Sequence, residues 1–153
     1  MLAVLGSDDF IYKVFFLLHI FSALVAFAPA FVWPIMRMQA RKRGAAVPAD
    51  LVAQSAVNEA TIYGPALIAT GAFGILMVLT AEGDFFEFSQ MWISIAFLVW
   101  FAMLGVVYGL LVPTGRKVAA GDGEAEAKLS MYTGFLHILL LLMLVVMIWK
   151  PGL

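Results

Sequence analysis

The sequence predicts an all-α, polytopic membrane protein whose chain crosses the bilayer four times as an up-down four-helix bundle. Of the 153 residues, 64 % are hydrophobic and only 12 % are charged, and the mean hydropathy is +1.02. Soluble domains contain about 45–50 % apolar and about 25 % charged residues. Four separate segments each have the roughly 20 apolar residues needed to cross about 30 Å of hydrocarbon.

The predicted spans cover residues 11–36, 61–80, 89–113 and 131–149. The connections between them are short, which favours antiparallel neighbours, so we expect residues 1–153 to form a single transmembrane domain. Residues 50–59 follow Pro48 and residues 124–128 follow a Gly-Asp-Gly turn, so both segments are predicted to extend spans two and four as helix beyond the membrane. The chain begins with an acidic segment instead of a positive leader, so we expect its first apolar segment to be retained.

The distribution of Lys and Arg predicts the orientation of the bundle. Loops that face the cytoplasm carry an excess of these residues, and the loop 81–88 has none. Loops 37–60 and 114–130 are therefore expected to be cytoplasmic, with both the N-terminus and the C-terminus outside. Seven of the nine cations lie in these two loops, namely Arg37, Arg41, Lys42, Arg43, Arg116, Lys117 and Lys128. Aromatic residues predicted at the outer membrane interface are Phe85, Phe86, Phe88, Trp92 and Trp149.

Composition excludes several classes of function. The net charge is −1 and the cations are scattered, which argues against nucleic acid as a partner because a binder needs a basic face. The chain has no cysteine, which excludes disulfides, iron–sulfur clusters, thiolate zinc sites and cysteine nucleophiles. No metal-ligand cluster, phosphate-binding loop or Ser/His/Asp set is recognisable. The expected partners are the lipid bilayer and other membrane protein subunits.

Small residues on spans two and three are candidate helix-packing positions. Glycine lets transmembrane helices approach closely, so that dispersion and weak hydrogen bonds hold them together. Such packing can occur within the bundle or can provide a docking face for another membrane protein. The candidates are Gly64, Gly71 and Gly74 on span two and the Gly-xxx-Gly pair Gly105 and Gly109 on span three.

Both histidines fall inside spans, His19 in the first and His137 in the fourth. An ionisable residue at membrane depth is a functional candidate, here either a structural hydrogen-bonding group or a ligand of haem b. A rise of 1.5 Å per residue puts the two side chains roughly 11 Å apart in depth, which disfavours one haem shared by both. Copper is a further option because Met143 and Met147 share a helix face near His137, although methionine commonly fills gaps in apolar cores. Glu59 is expected to face the interface or to pair with a basic residue such as Arg37.

Three segments resemble a bacterial family of four-helix membrane proteins. They are residues 13–23, from Lys13 to beyond His19, residues 62–76, and the Lys-Pro ending at 147–152. Together they resemble HemJ-type protoporphyrinogen oxidases, CopD-like membrane domains and related uncharacterised integral membrane proteins. The resemblance implies a location in the bacterial plasma (inner) membrane and a b-type haem on His19. A third-helix Lys used by the oxidases falls on Ala96 here, so the uncharacterised relatives fit better.

Two functional hypotheses follow. The favoured one is a membrane protein without a catalytic site, an accessory or assembly subunit that packs against a larger bacterial membrane complex. The alternative is a haem-binding redox protein that uses His19, with His137 as a second candidate ligand. If the protein is an enzyme, this second hypothesis makes it a haem-dependent oxidoreductase.

Overall fold

The computed structural model describes residues 9–45, 47–81 and 86–152. Within these residues the chain is helical, and four helices are long and apolar enough to cross a membrane. They are α1 (Phe10–Lys42), α2 (Ala49–Thr80), α3 (Met91–Ala119) and α4 (Gly123–Trp149). The predicted all-α fold with four membrane spans is confirmed, whereas the orientation of the termini stays a prediction.

The helices run beyond the predicted spans at the end of the bundle that carries most of the cations. Helix α1 has 33 residues and is therefore about 50 Å long, well over the thickness of the hydrocarbon layer. The predicted extensions at 50–59 and 124–128 are both helical, which confirms them. Asp122 caps α4, where its carboxylate accepts hydrogen bonds from the backbone N–H groups of Glu124 and Ala125 at 3.1 and 3.2 Å. The helical ends thus carry their own polar partners into the headgroup region.

Helix α3 lies at the centre of the bundle and α1 at its edge. In the most apolar part of each helix, 39 % of the residues of α3 are buried but only 11 % of those of α1. Met103 of α3 is fully enclosed, whereas α1 buries only Ser22 and Pro29. Helix α1 packs mainly against α2, and α3 packs against α4. The outward faces of α1 and α4 are rich in large apolar side chains, as contact with lipid requires.

Two helices contain a wide π-helical turn, at Glu59–Tyr63 in α2 and at Val106–Leu111 in α3. Each turn ends shortly before a proline, Pro65 or Pro113. Proline lacks an N–H and its ring clashes with the carbonyl four residues earlier, and widening one turn of the helix relieves such a clash. The two turns contact each other, so both irregularities lie in the same part of the bundle.

The two ends of the bundle differ in chemistry. At one end, Arg41 of α1 and Glu126 of α4 line a common surface cleft, so the loops that follow α1 and α3 lie on the same side, as an up-down bundle requires. At the other end, the Lys150 ammonium lies 4.9 Å from the centre of the Phe86 ring and 5.4 Å from that of Trp92, a cation–π arrangement.

The predicted band of interfacial aromatics is only partly present. Trp92 does not face lipid: it is 6 % exposed in the core, where its indole N–H donates to the Gln90 side-chain oxygen at 3.0 Å. This position was predicted wrongly because hydropathy does not reveal which face of a helix points inward. Phe88 and Trp149 are exposed. Phe85 and the central part of the acidic loop 81–88 lie outside the described residues.

Candidate functional site

His19 is held against α2 by one ring nitrogen. Its Nδ1 lies 2.8 Å from the backbone carbonyl oxygen of Thr70. A carbonyl can only accept, so Nδ1 carries the hydrogen and a neutral ring keeps its lone pair on Nε2. Nε2 has no hydrogen-bond partner among the described residues. Every buried side-chain nitrogen in these residues has a partner, so Nε2 is not a buried atom. Nε2 is therefore accessible at the surface of the bundle.

Two buried hydroxyl groups continue this contact between α1 and α2. The Ser22 hydroxyl lies 2.7 Å from the carbonyl oxygen of Leu18 and 3.0 Å from that of His19. The Thr70 hydroxyl lies 3.0 Å from Ser22 Oγ and 2.9 Å from the carbonyl oxygen of Ala66. The seam joins the edge helix to the bundle through polar groups, which suits a medium that offers no water.

Two glycines of α2 leave space for the rings of His19 and Trp100 to reach backbone carbonyls of α2. The Trp100 indole N–H donates to the carbonyl oxygen of Leu67 at 2.8 Å, and Gly71 follows Leu67 by four residues. A helical side chain lies over the turn that precedes it, so a Cβ at position 71 would overlap the indole. Gly74 likewise follows Thr70 by four residues. A Cβ at position 74 would lie 3.3 Å from the His19 ring.

His137 satisfies a backbone carbonyl that a proline leaves without its helical partner. Pro34 has no N–H, so the carbonyl of Ala30, four residues earlier, lacks the usual α-helical hydrogen bond. His137 Nε2 hydrogen-bonds to this carbonyl oxygen, which links α4 to α1. Its Nδ1 lies 2.6 Å from the carbonyl oxygen of Thr133. In this arrangement both ring nitrogens face acceptors.

The two histidines do not share a site. His137 lines a cavity of about 50 Å³ between the four helices, whereas His19 is not among the residues around it. At roughly 10–15 Å³ for each water, this cavity has room for about three to five waters and is far too small for a haem. His19 therefore has one ring nitrogen, Nε2, that is free to act as an axial haem ligand, whereas both ring nitrogens of His137 face backbone carbonyls. Met143 is buried in the apolar core, and no group of three or more His, Asp or Glu side chains in the described part of the chain could hold a metal ion.

The cavity brings His137 together with Glu59 and Arg37, a grouping of three that the sequence did not predict. Arg37 of α1, Glu59 of α2 and His137 of α4 all line it, and Thr133 and Tyr63 add hydroxyl groups. Glu59 has neither a hydrogen bond nor an ion pair with any residue that the structure describes, so the expected pairing with Arg37 does not form. The sequence did contain a signal for this position.

That signal is a helical stripe. The buried residues Val52, Ala56 and Leu67 recur on α2 at the spacing of one helix face, and Glu59 falls on that same face. A carboxylate within an inward-facing stripe predicts an internal polar site.

The five candidate packing glycines divide into two groups. Gly64, Gly71 and Gly74 lie against other helices, where an added Cβ would meet Tyr108, Trp100 and His19 respectively. Gly105 and Gly109 lie on the outer side of α3, and a Cβ at either position would meet nothing within 4 Å. The Gly-xxx-Gly pair is therefore not used for packing within this bundle.

Comparison with known protein families, with curated proteins and with solved structures finds no match to this chain.

Proposed function

We propose that this protein is an accessory or assembly subunit that binds a transmembrane helix of a larger membrane complex along the outer face of α3. The observation that supports this proposal is the open space over Gly105 and Gly109. Glycine in a helix interior is less favourable than alanine by about 1 kcal/mol. Close approach of another helix is the usual compensation in membranes, and none of the helices that the structure describes comes within 4 Å of an added Cβ there.

The side chains around these glycines give the face its shape. Leu98 is 72 % exposed, Phe101 is 62 % exposed and Tyr108 is 40 % exposed. These large apolar residues lie beside two exposed glycines, and such a face suits a helix better than it suits a small polar substrate.

The polar groups of the bundle interior also favour a role without catalysis. The ring N–H groups of His19, Trp100 and His137 all bind backbone carbonyls of neighbouring helices. These groups therefore stabilise the bundle, and no nucleophile is paired with a general base among them.

The test compares Gly105→Leu and Gly109→Leu with a matched control, Gly134→Leu. Gly134 of α4 is also an outward-facing glycine with nothing within 4 Å of an added Cβ. Each tagged variant is purified in mild detergent from native membranes, and the co-purifying proteins are identified by mass spectrometry. We expect all three to remain folded and only the α3 variants to lose partners. Retention of the same partners by every variant would rule out the α3 face as the docking surface.

A haem b on His19 is a second candidate function, favoured by the arrangement of one side chain. Histidine ligands of metals typically donate their other ring N–H to a backbone carbonyl, which orients the ring. His19 does so to Thr70 and leaves Nε2 accessible. When bound, the haem would supply electron-transfer chemistry, and the protein would orient its ligand through Thr70.

An absorption spectrum decides this second candidate. Protein purified from haem-replete cells is recorded as a dithionite-reduced minus oxidised difference spectrum. The haem hypothesis predicts a b-type α-band that His19→Ala abolishes and that His137→Ala retains. A flat spectrum from well-folded protein would eliminate it.

A further inference from the structure

We propose that the cavity between the four helices is a water-filled proton-binding site, with the Glu59 carboxylate as the proton acceptor and a water path to the end of the bundle that carries the basic loops. This inference is independent of the docking face on α3. It rests on the cavity, on the hydrogen bonding of its polar groups and on a second, open cleft.

Glu59 is placed to exchange a proton with water rather than with protein. Its side chain is half-buried and lines the cavity, yet it makes no hydrogen bond to any described residue. Every buried side-chain oxygen in the described part of the chain does have such a partner. The carboxylate oxygens are therefore accessible to water, and the cavity that Glu59 lines has room for about three to five waters.

A route to bulk water leads past Arg37. This residue lines the cavity and also a cleft of about 330 Å³ that opens at the surface between the end of α1 and the start of α4. Arg41 and Glu126 line the same cleft, so its walls are polar and suited to hydration. The Arg37 side chain stands at the border between the two spaces.

The charged and titratable groups around Glu59 come from three helices. Helix α1 contributes Arg37, α2 contributes Tyr63 beside Glu59 itself, and α4 contributes His137. The residues that α3 contributes to the lining are Met103, Val107, Leu111 and Gly115, none of which titrates. Both ring nitrogens of His137 face backbone carbonyl oxygens, those of Thr133 and Ala30.

The chemistry is a simple transfer. A hydronium ion in the cavity gives its proton to a Glu59 carboxylate oxygen, an O–H bond forms there and the ion leaves as water. The charge of the cavity rises by one, and no electron moves.

The water path is tested with single cysteines, since the native chain has none. Thr133→Cys places a thiol in the cavity wall, and Phe135→Cys places one at almost the same depth on the outward face of α4, where Phe135 is 49 % exposed. A charged, membrane-impermeant maleimide is applied to sealed vesicles of either orientation. We expect the cavity thiol to react from one side only and at least about tenfold faster than the lipid-facing thiol, because thiolates form poorly in apolar surroundings. Equal, slow labelling of both would overturn the water path.

The proton acceptor is tested by infrared spectroscopy during a pH titration of the whole protein in nanodiscs. The native protein should gain a protonated-carboxyl band as the pH falls, and Glu59→Gln should lose the band that appears at the highest pH. Glu126→Gln, which removes an exposed carboxylate from the cleft, should retain that band. If Glu59→Gln keeps every band of the native protein, Glu59 is not the acceptor. The cysteine experiment keeps native Glu59, so the water path remains testable if Glu59→Gln fails to fold.

Discussion

The ring N–H groups of His19, Trp100 and His137 hold the helices of this bundle together by binding backbone carbonyls. Two of these carbonyls lie on α2 where a glycine four residues later leaves room, and the third is freed by Pro34. A bilayer offers no water to satisfy such groups. The polar residues at membrane depth are thus matched to local gaps in the helical backbone.

The pairing of His137 with the carbonyl of Ala30 predicts a coupling between His137 and Pro34. His137→Ala should lower the free energy of unfolding by about 1 kcal/mol, the usual scale of an interhelical hydrogen bond in membranes. Pro34→Ala restores an N–H at position 34 that can donate to the carbonyl of Ala30. The double variant should therefore recover most of this loss. Unfolding in mixed micelles measures all four proteins of the cycle. Strictly additive effects would refute the proposed role of His137.

Gly71 and Gly105 are both glycines of membrane helices, yet they should respond in opposite ways to alanine. Gly71→Ala forces the Trp100 ring away and should destabilise the protein by about 1–3 kcal/mol, as overpacking generally does. Gly105→Ala enters open space and should be neutral or stabilising, because alanine is the better helix former. Thermal unfolding in one detergent gives the comparison. A large loss at Gly105 would show that its outer face is covered within the chain.

At the scale of elements, the central position of α3 and the edge position of α1 follow from how much of each is buried. Helix α3 offers buried residues to α2 and α4, whereas α1 packs mainly against α2 and buries only Ser22 and Pro29. The wide turns before Pro65 and Pro113 allow both prolines to remain within continuous helices. The cavity is lined by residues of all four helices, and α1 contributes residues from Ala26 to Arg37.

The start of α4 depends on a side-chain cap. Asp122 accepts hydrogen bonds from two backbone N–H groups of the first turn, and its charge interacts favourably with the positive end of the helix. Asp122→Ala should lower the free energy of unfolding by about 1 kcal/mol, whereas Asp122→Asn should keep most of it. Chemical denaturation of the two variants provides the measurement. Equal stability of the alanine variant and the native protein would mean that the cap is not needed.

At the scale of the whole molecule, the bundle places the two basic loops at one end. The side of the membrane on which this end lies therefore fixes the orientation of the other loop and of both termini. The positive-inside rule predicts that this end is cytoplasmic. Alkaline phosphatase, active only outside the cytoplasm, should be active when fused after Gly152 and inactive when fused after Gly121. The reverse pattern would invert the bundle and would move the mouth of the cleft beside Arg37 to the outer side.

The sequence by itself determined the four spans, their up-down order and the helical extensions, because hydropathy, turn residues and caps are local and add along the chain. The presence of Pro34 also implies that the carbonyl of Ala30, four residues earlier, lacks its usual helical hydrogen bond. Only the tertiary structure decided that His137 hydrogen-bonds to that carbonyl and that Trp92 points inward. It alone also decided that Gly71 packs against Trp100 while Gly105 faces out of the bundle. Only the tertiary structure decided, too, that Arg37, Glu59 and His137 line one cavity. These facts depend on how each helix is rotated about its axis, and in a chain that is apolar on nearly every face the periodicity of the sequence carries little of that information.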